Sequence, residues 1–350
     1  MDKAARALRI WISRVSKLVR RMFRHYGAAL TGTIAAFSFA LGVGLSVLPT
    51  SPKAEMRQLF CVLVPHFKDE YWLSVGFGLE QEAQRNNADL LFFEAGGYGD
   101  PAVQIDQLDA CVKRGVNAII IGAVASDHVE LTNAIEQAAQ TVPVFGLVNE
   151  VHSDALAGHV GVDWRDMGYV LGRHLSALHP AGSSAQTAVL VTGPPEAGWT
   201  GPLEAGLRDG LADSAVTIVD VLGADTGLRQ QLALSELALE RHPDASYLIA
   251  SAPAIEAAIG LLATRSDADK PILMATYVNH TIKRGLMNGS VLAASFDDPM
   301  LQAQMAIRQA TSEPVRSFEA TGPEIVVLTR NADNLHDIRM SPADYFPALQ

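Results

Sequence analysis

A chain of 350 residues with 49% hydrophobic and 19% charged residues has globular composition, rules out a disordered polymer and is long enough for two lobes. Its charge is divided: of 27 basic and 38 acidic residues, nine and one fall within residues 1–54, leaving 18 and 37 for the remainder, a net of −19. A body that acidic repels a phosphate backbone, so nucleic acid is excluded as a partner.

The first predicted element has the form of an export signal. A basic stretch to His25 precedes Gly27–Leu48, 22 residues without a charge. Such a run is long enough to span a bilayer, and its cationic flank has no place beside a protein core. Residues 1–54 are therefore expected to be either a cleaved signal, with Ala54 as a candidate end, or a retained inner-membrane anchor, the chain's one contact with the membrane. The pair Arg20-Arg21 in "RRMF" also fits a twin-arginine signal. In each version the cationic end stays inside, and the body from about residue 55 is expected in the periplasm.

From Leu59 the sequence alternates short apolar runs with amphipathic segments. "LFCVLVP", "ADLLFFEA", "NAIIIGA" and "VPVFGLV" read as strands, and helical spacing fills the stretches between them. The rhythm restarts after Ala157: "GHVGVD" is followed by a helix over 164–178, "TAVLVTG" by 200–211 and "AVTIVDVLG" by 227–241. "SYLIAS" then leads to a helix over 253–264, and "PILMATY" to one near 280–287. "SVLAASFDDP" with a helix over 300–311 and a last strand, "EIVVLT", complete the pattern. Near-continuous Val/Ile/Leu runs fit strands buried on both faces, so the fold class is α/β with two doubly wound parallel-sheet lobes.

In such sheets ligands sit off the carboxyl ends of the strands. There the sequence places Asp69, Tyr71 and Trp72; Tyr98 in "EAGGYGD"; Asn149; Asp163 and Trp164; Trp199 in "GPPEAGWTGP"; Tyr277; and Asp297. All three tryptophans of the body fall at strand ends, whereas packing alone would spread them over helix faces. One such ring alone seals a cleft. Several together with carboxylates suit a methylated ammonium group, whose charge the ring faces attract and whose methyls they bury. Trp199 is open between pocket rim, partner contact and packing.

Catalysis finds little support: Asp69, Asp163 and Asp297 are the one candidate acid–base set, and salt-bridging or ligand-orienting roles are commoner for such carboxylates. There is no G-x-S-x-G elbow and no P-loop, and "EAGGYGD" lacks dinucleotide-site spacing. Histidines are scattered singly, and no Cys or His cluster suggests a metal, so no cofactor, metal or catalytic residue is expected. Cys61 and Cys111 leave both a disulfide and two buried free thiols open.

"PHFKDEYWLSVGFGLEQEA", "EAGGYGDP", "NAIIIGAV", "VGVDWRDMGY" and "SAPAIEAAI" together resemble the TorT-type periplasmic proteins of trimethylamine N-oxide (TMAO) sensing, members of the type I periplasmic-binding-protein superfamily. The resemblance runs from about Gln58 to near Tyr345, and "KDEYWLSV" and "GVDWRDMGY" are its most specific pieces. It implies a non-enzymatic, bilobed clamp with three crossovers between the lobes. The lobes are expected at 57–156 plus 293–313 and at 157–292 plus 314–350. It also implies that the clamp binds TMAO and presents itself to the periplasmic domain of a membrane sensor histidine kinase, inducing TMAO respiration. The implied pocket is Tyr71, Trp72, Trp164 and Tyr277 with Asp69 and Tyr98 nearby; strand-end position adds Asp163 and Asp297. A tyrosine O–H, an indole N–H or a protonated carboxyl would serve as donor to the oxide. The alternative is a binding protein that delivers a sugar or a quaternary amine to an ABC transporter. Sparse Arg and Asn at the strand ends weigh against sugar, and the lack of a strand-end cation weighs against a betaine carboxylate.

Overall fold

The apolar runs form two sheets in a computed structural model, which describes residues 57–266, 270–312 and 320–350. The expected export or anchor segment, 1–54, lies outside them. Among the described residues no helix is long and apolar enough to cross a membrane.

The first sheet has strand order β2-β1-β3-β4-β5, from Gln58–Val64 (β1), Ala88–Glu94 (β2), Ala118–Ile121 (β3), Val144–Leu147 (β4) and Gly158–Val160 (β5). Every pairing in it is parallel. Helices Glu70–Arg85 (α1), Pro101–Arg114 (α2) and Val129–Ala139 (α3) connect its first four strands. Strands β3 and β4 are buried along their whole length, which explains why "AIII" and "VFGL" carry no polar alternation.

The second sheet follows Trp164–Leu178 (α4). It contains Gln186–Thr192 (β6), Val216–Gly223 (β7), Tyr247–Ala250 (β8), Ile272–Ala275 (β9), Ala293–Phe296 (β10) and Val326–Thr329 (β11). Its order is β11-β10-β9-β8-β6-β7, parallel except for antiparallel β11 at one edge. Thr200–Gly210 (α5), Leu228–Arg241 (α6), Ala252–Leu262 (α7) and His280–Asn288 (α8) connect β6 to β10, and Pro299–Thr311 (α9) follows β10.

The sheets divide the chain differently from the expected lobes. β5, expected to open the second lobe, is the edge strand of the first sheet, paired with β4. Parallel neighbours are usually joined through a helix; here the irregular loop 148–157 does it, so the pattern reads as a new start. β10, grouped with the first lobe, lies in the second sheet beside β9. The helix after it does pack on the first layer: Arg308 of α9 pairs with Glu82 of α1 at 2.7 Å. Thr321 then bridges to Val160, β11 returns to the second sheet, and the tail bridges from Leu349 to Phe92 of β2. The tail end thus lies against the first layer, not the second as expected. Apolar periodicity marks each strand but carries no record of its neighbour.

Of the two alternatives open for the cysteines, the structure has the disulfide. Cys61 in the centre of β1 is bonded to Cys111 on α2, and both residues are fully buried.

Candidate ligand site

Each strand end that faces the other layer carries a ring or a polar group for local reasons. Asp69 is the N-cap of α1: its Oδ1 accepts from the Tyr71 N–H at 3.0 Å, the usual means of satisfying a free helix donor. That cap places Tyr71 and Trp72 in the first turn, both turned inward and buried. Trp72 fits because Gly122, just after β3, leaves room: a Cβ there would lie 2.5 Å from its ring. Gly193 after β6 does the same for Trp199, since a Cβ at that position would lie 2.3 Å from the indole.

Val148, after β4, takes φ +63°, a left-handed conformation that a β-branched residue rarely adopts. The turn directs its carbonyl to the indole N–H of Trp164, 3.1 Å away. The strain is thus found where the first layer holds the first aromatic residue of the second.

The rings form a continuous lining. Tyr71 meets Trp72 and Tyr277 edge to face, with centroids 6.0 and 5.3 Å apart. Tyr277 meets Trp199 at 6.2 Å, and Trp199 meets Trp164 at 5.3 Å and Tyr98 at 6.5 Å. Asp69, Val148, Asn149 and Thr226 complete the wall. The cavity is small, with about 20 Å³ of room for the centre of a water molecule. A sphere of that volume, enlarged by water's ~1.4 Å radius, is roughly 3 Å in radius.

Two carboxylates are buried here, each tied to a tyrosine of the other layer. Tyr277 donates to Asp69 Oδ2 at 2.6 Å, and Tyr71 donates to Asp297 Oδ2 at 2.7 Å. Gln302 of α9 also donates to Asp297 Oδ2, at 2.7 Å, while its Oδ1 has no partner. Burial raises the Asp69 carboxyl above the usual range, against the opposing hydrogen bonds from Tyr277 and the Tyr71 backbone. Burial pushes Asp297 up to about 6, against hydrogen bonds from Tyr71 and Gln302. Burial and the adjacent carboxylates push the Tyr71 and Tyr277 hydroxyls well up, so both stay protonated. The arrangement offers ring faces and negative charge to a small cationic, methyl-bearing group.

At the cavity's edge a polar cluster joins the layers. His66 Nε2 lies 2.9 Å from Thr226 Oγ1 and 3.3 Å from Asp225 Oδ1, and Lys68 Nζ lies 3.6 Å from Asp225 Oδ2.

Of the eight residues expected at the site, the structure brings Tyr71, Trp72, Trp164, Tyr277, Asp69 and Tyr98 together around the cavity. Asp297 stands behind Tyr71 and not in the lining. Asp163 does not join them. It is exposed, with Oδ1 turned back onto the N–H groups of Arg165 and Asp166 at 2.7 and 3.4 Å as the N-cap of α4. Trp199, left open by the sequence, is a wall residue. Sequence reasoning does not reach Val148 and Thr226, because nothing in "LVNE" or "ADTG" signals them, while Asn149 is visible as a strand-end amide.

A ring-lined cavity between the carboxyl ends of two largely parallel sheets defines a two-layer ligand-binding protein. Residues 60–313 match the family model "Periplasmic binding protein domain". Periplasmic protein TorT of Escherichia coli (strain K12) is 34% identical over 306 residues, covering 85% of this chain and 86% of that protein. The TorT component of the crystallised TorS sensor domain–TorT complex superposes with a TM-score of 0.72, both without ligand and in the presence of TMAO. Identity is 33% and 32% respectively, over 84% of this chain and 100% of that one. An ABC transporter solute binding protein from Bradyrhizobium sp. BTAi1 with bound bis-tris has a TM-score of 0.70 and 32% identity, covering 85% of this chain and 90% of that one. The chain belongs to the periplasmic binding protein family, as a TorT-type member, and it is a periplasmic protein.

Proposed function

We propose that the protein binds TMAO, or a closely related methylated amine oxide, in the aromatic cavity. The loaded form then acts on the periplasmic sensor domain of a membrane histidine kinase to induce TMAO respiration. The observation that carries this reading is the lining: five Tyr and Trp side chains and a buried carboxylate, with Trp199 as a sixth ring, around a space roughly 3 Å in radius. That space suits a tetrahedral nitrogen with four small substituents better than a pyranose. Each favourable ring contributes about 0.5–2 kcal/mol to holding the cationic nitrogen, and the methyls add buried apolar area. The kinase partner is supported by the TorT relative, which was crystallised with the TorS sensor domain in both ligand states.

The protein is read as a binder and not an enzyme. Its buried carboxylates are engaged by tyrosines, and the imidazole beside the Thr226 hydroxyl, His66, shares its Nε2 with Asp225 and accepts the Lys68 N–H on Nδ1, which leaves it no free nitrogen to act as a base. Ligand acts by its differential affinity for the conformations open to the clamp. A second reading, delivery of an amine to an ABC transporter, is favoured by the Bradyrhizobium relative with bound bis-tris.

Calorimetric titration of the purified protein with TMAO, glycine betaine and ribose tests the ligand. Binding of TMAO in preference to the other two is expected, and binding of ribose without TMAO would overturn the reading. Co-purification with a kinase sensor domain, against a transporter permease, separates the two partners.

A further inference from the structure

Outside the cavity wall, three segments of the chain meet at one histidine. His280 is the first residue of α8 in the second layer, Glu70 is the first residue of α1 in the first layer, and Ser341 belongs to the tail. His280 Nε2 lies 2.7 Å from the Ser341 carbonyl oxygen, which can only accept, so Nε2 carries a hydrogen. The same nitrogen is 3.5 Å from Ser341 Oγ, and its hydrogen rules it out as a base toward that hydroxyl. A neutral ring therefore keeps its lone pair on Nδ1. That atom faces Glu70 Oε2 at 3.6 Å, and both atoms are buried without a hydrogen-bond partner. A lone pair against a carboxylate is repelled, whereas a second proton on Nδ1 turns the contact into an ion pair. The tail anchor belongs to the first layer too, since the Ser341 N–H donates to Ser74 Oγ of α1 at 3.3 Å.

The charges around the ring favour that proton only while the layers are together. From the first layer come Glu70 and its neighbour Asp69, the latter held by Tyr277. Burial raises the Glu256 carboxyl of α7, and the charges of Glu70 and Asp69 raise it further, against Arg284 and Thr281. On α8, Arg284 donates to Thr281 Oγ1 at 2.8 Å, and Lys283 donates to the His336 and Ile338 carbonyls at 3.3 and 2.6 Å. His336, Asp337, Arg339 and Asp344 of the tail are exposed. The N-terminus of α8 itself opposes a charged imidazole at its first position, so the carboxylate across the gap decides the balance. We infer that Glu70 and His280 form a proton-dependent latch between the layers: a proton taken up on His280 Nδ1 ties α8 to α1 and favours the closed clamp. The bond contributes in acid and is lost as pH rises and the imidazole gives up its proton. With side chains 16% and 37% exposed, the pair is a modest one, worth a factor of about two to five. The latch goes beyond the ligand reading and acts with any occupant of the cavity.

The test is a double-mutant cycle of Glu70→Gln with His280→Gln, whose amide can still donate to the Ser341 carbonyl. It is read by urea unfolding of the ligand-free protein at about pH 5.5 and about pH 8. Coupling of about two- to fivefold in the folding equilibrium is expected in acid, and none at about pH 8. Equal coupling at both values, or none in acid, would overturn the latch. Calorimetry with TMAO gives a second readout. From about pH 8 to about pH 5.5 the wild-type affinity should gain about two- to fivefold more than that of His280→Gln, and an identical gain in the two proteins would overturn the inference. Coupling in acid with no TMAO heat in any of the proteins supports the latch and overturns the ligand reading alone.

Discussion

The hydroxyl of Tyr277, carried after β9 in the second sheet, donates to Asp69 Oδ2 at 2.6 Å, and Asp69 is also the N-cap of α1 in the first layer. One carboxylate therefore starts a helix and binds the two layers to each other. Tyr277→Phe removes one of its donors inside the protein. The expected cost is about 1–3 kcal/mol in urea unfolding at neutral pH. Burial raises the Asp69 carboxyl and the Tyr277 bond opposes it, so the variant's carboxyl takes up a proton more readily. The loss should shrink in acid, where Asp69 is neutral in both proteins.

Asp297 titrates at about 6 against a usual 3.8 because it is buried. A raised carboxyl costs stability as pH climbs: the unfolded chain ionises at about 4 while the folded one resists until about 6. The full cost is roughly 3 kcal/mol at pH 7. Asp297→Asn abolishes it. The difference in unfolding free energy between variant and parent should move in the variant's favour from about pH 4 to about pH 7, and a flat difference would contradict the assignment.

Gly193 is the floor under Trp199. A Cβ there would stand 2.3 Å from the indole, so Gly193→Ala drives the ring toward the cavity. A stability loss of about 1–3 kcal/mol is expected, together with loss of ligand heat in calorimetry. Gly201→Ala serves as a control, since a Cβ at that glycine meets nothing.

Burial acts to raise Asp225, yet the hydrogen bond and charge of His66 and the charge of Lys68 hold it below its usual range. A depressed carboxyl contributes while ionised and loses that contribution as pH falls through its folded value. Because Lys68 and Asp225 stand on opposite layers and are partly exposed, their link is modest. Asp225→Asn should speed ligand release about two- to fivefold in stopped-flow fluorescence at neutral pH. The difference should narrow in strong acid.

The Cys61–Cys111 bond closes a loop with a sequence separation of 50. Chain entropy alone assigns such a closure roughly 4 kcal/mol. The Cys61→Ala/Cys111→Ala double variant should lose about 2–4 kcal/mol in urea unfolding. Reductant should leave the folded protein unchanged, because both sulfurs are buried.

The strand-end tryptophans show how much of the site is legible in sequence. Trp72, Trp164 and Trp199 stand shortly after apolar runs, and helix starts follow from Asp69 and Asp163 as caps, so the aromatic content of the cavity is predictable. The two aspartates read alike, as an acid before an aromatic pair or single ring. Only the fold separates them: Asp69 has Tyr277 opposite, and Asp163 faces solvent. Val148 is invisible because its unusual φ comes from the loop to β5 and not from its own preference. The pairing of β5 and β10 is equally hidden, since a buried strand looks the same in either sheet.

The passage of the chain between layers, out after β5, back with α9, across again with β11 and home with the tail, limits how the molecule can be dissected. No single cut separates one lobe from the other: a fragment ending after Val160 lacks α9, Thr321 and the tail that cover it. A lobe-swapped chimera with a relative must therefore exchange several discontinuous segments at once. A simple exchange of halves at one junction would split both layers, whereas substitutions at the strand ends leave the path of the chain untouched.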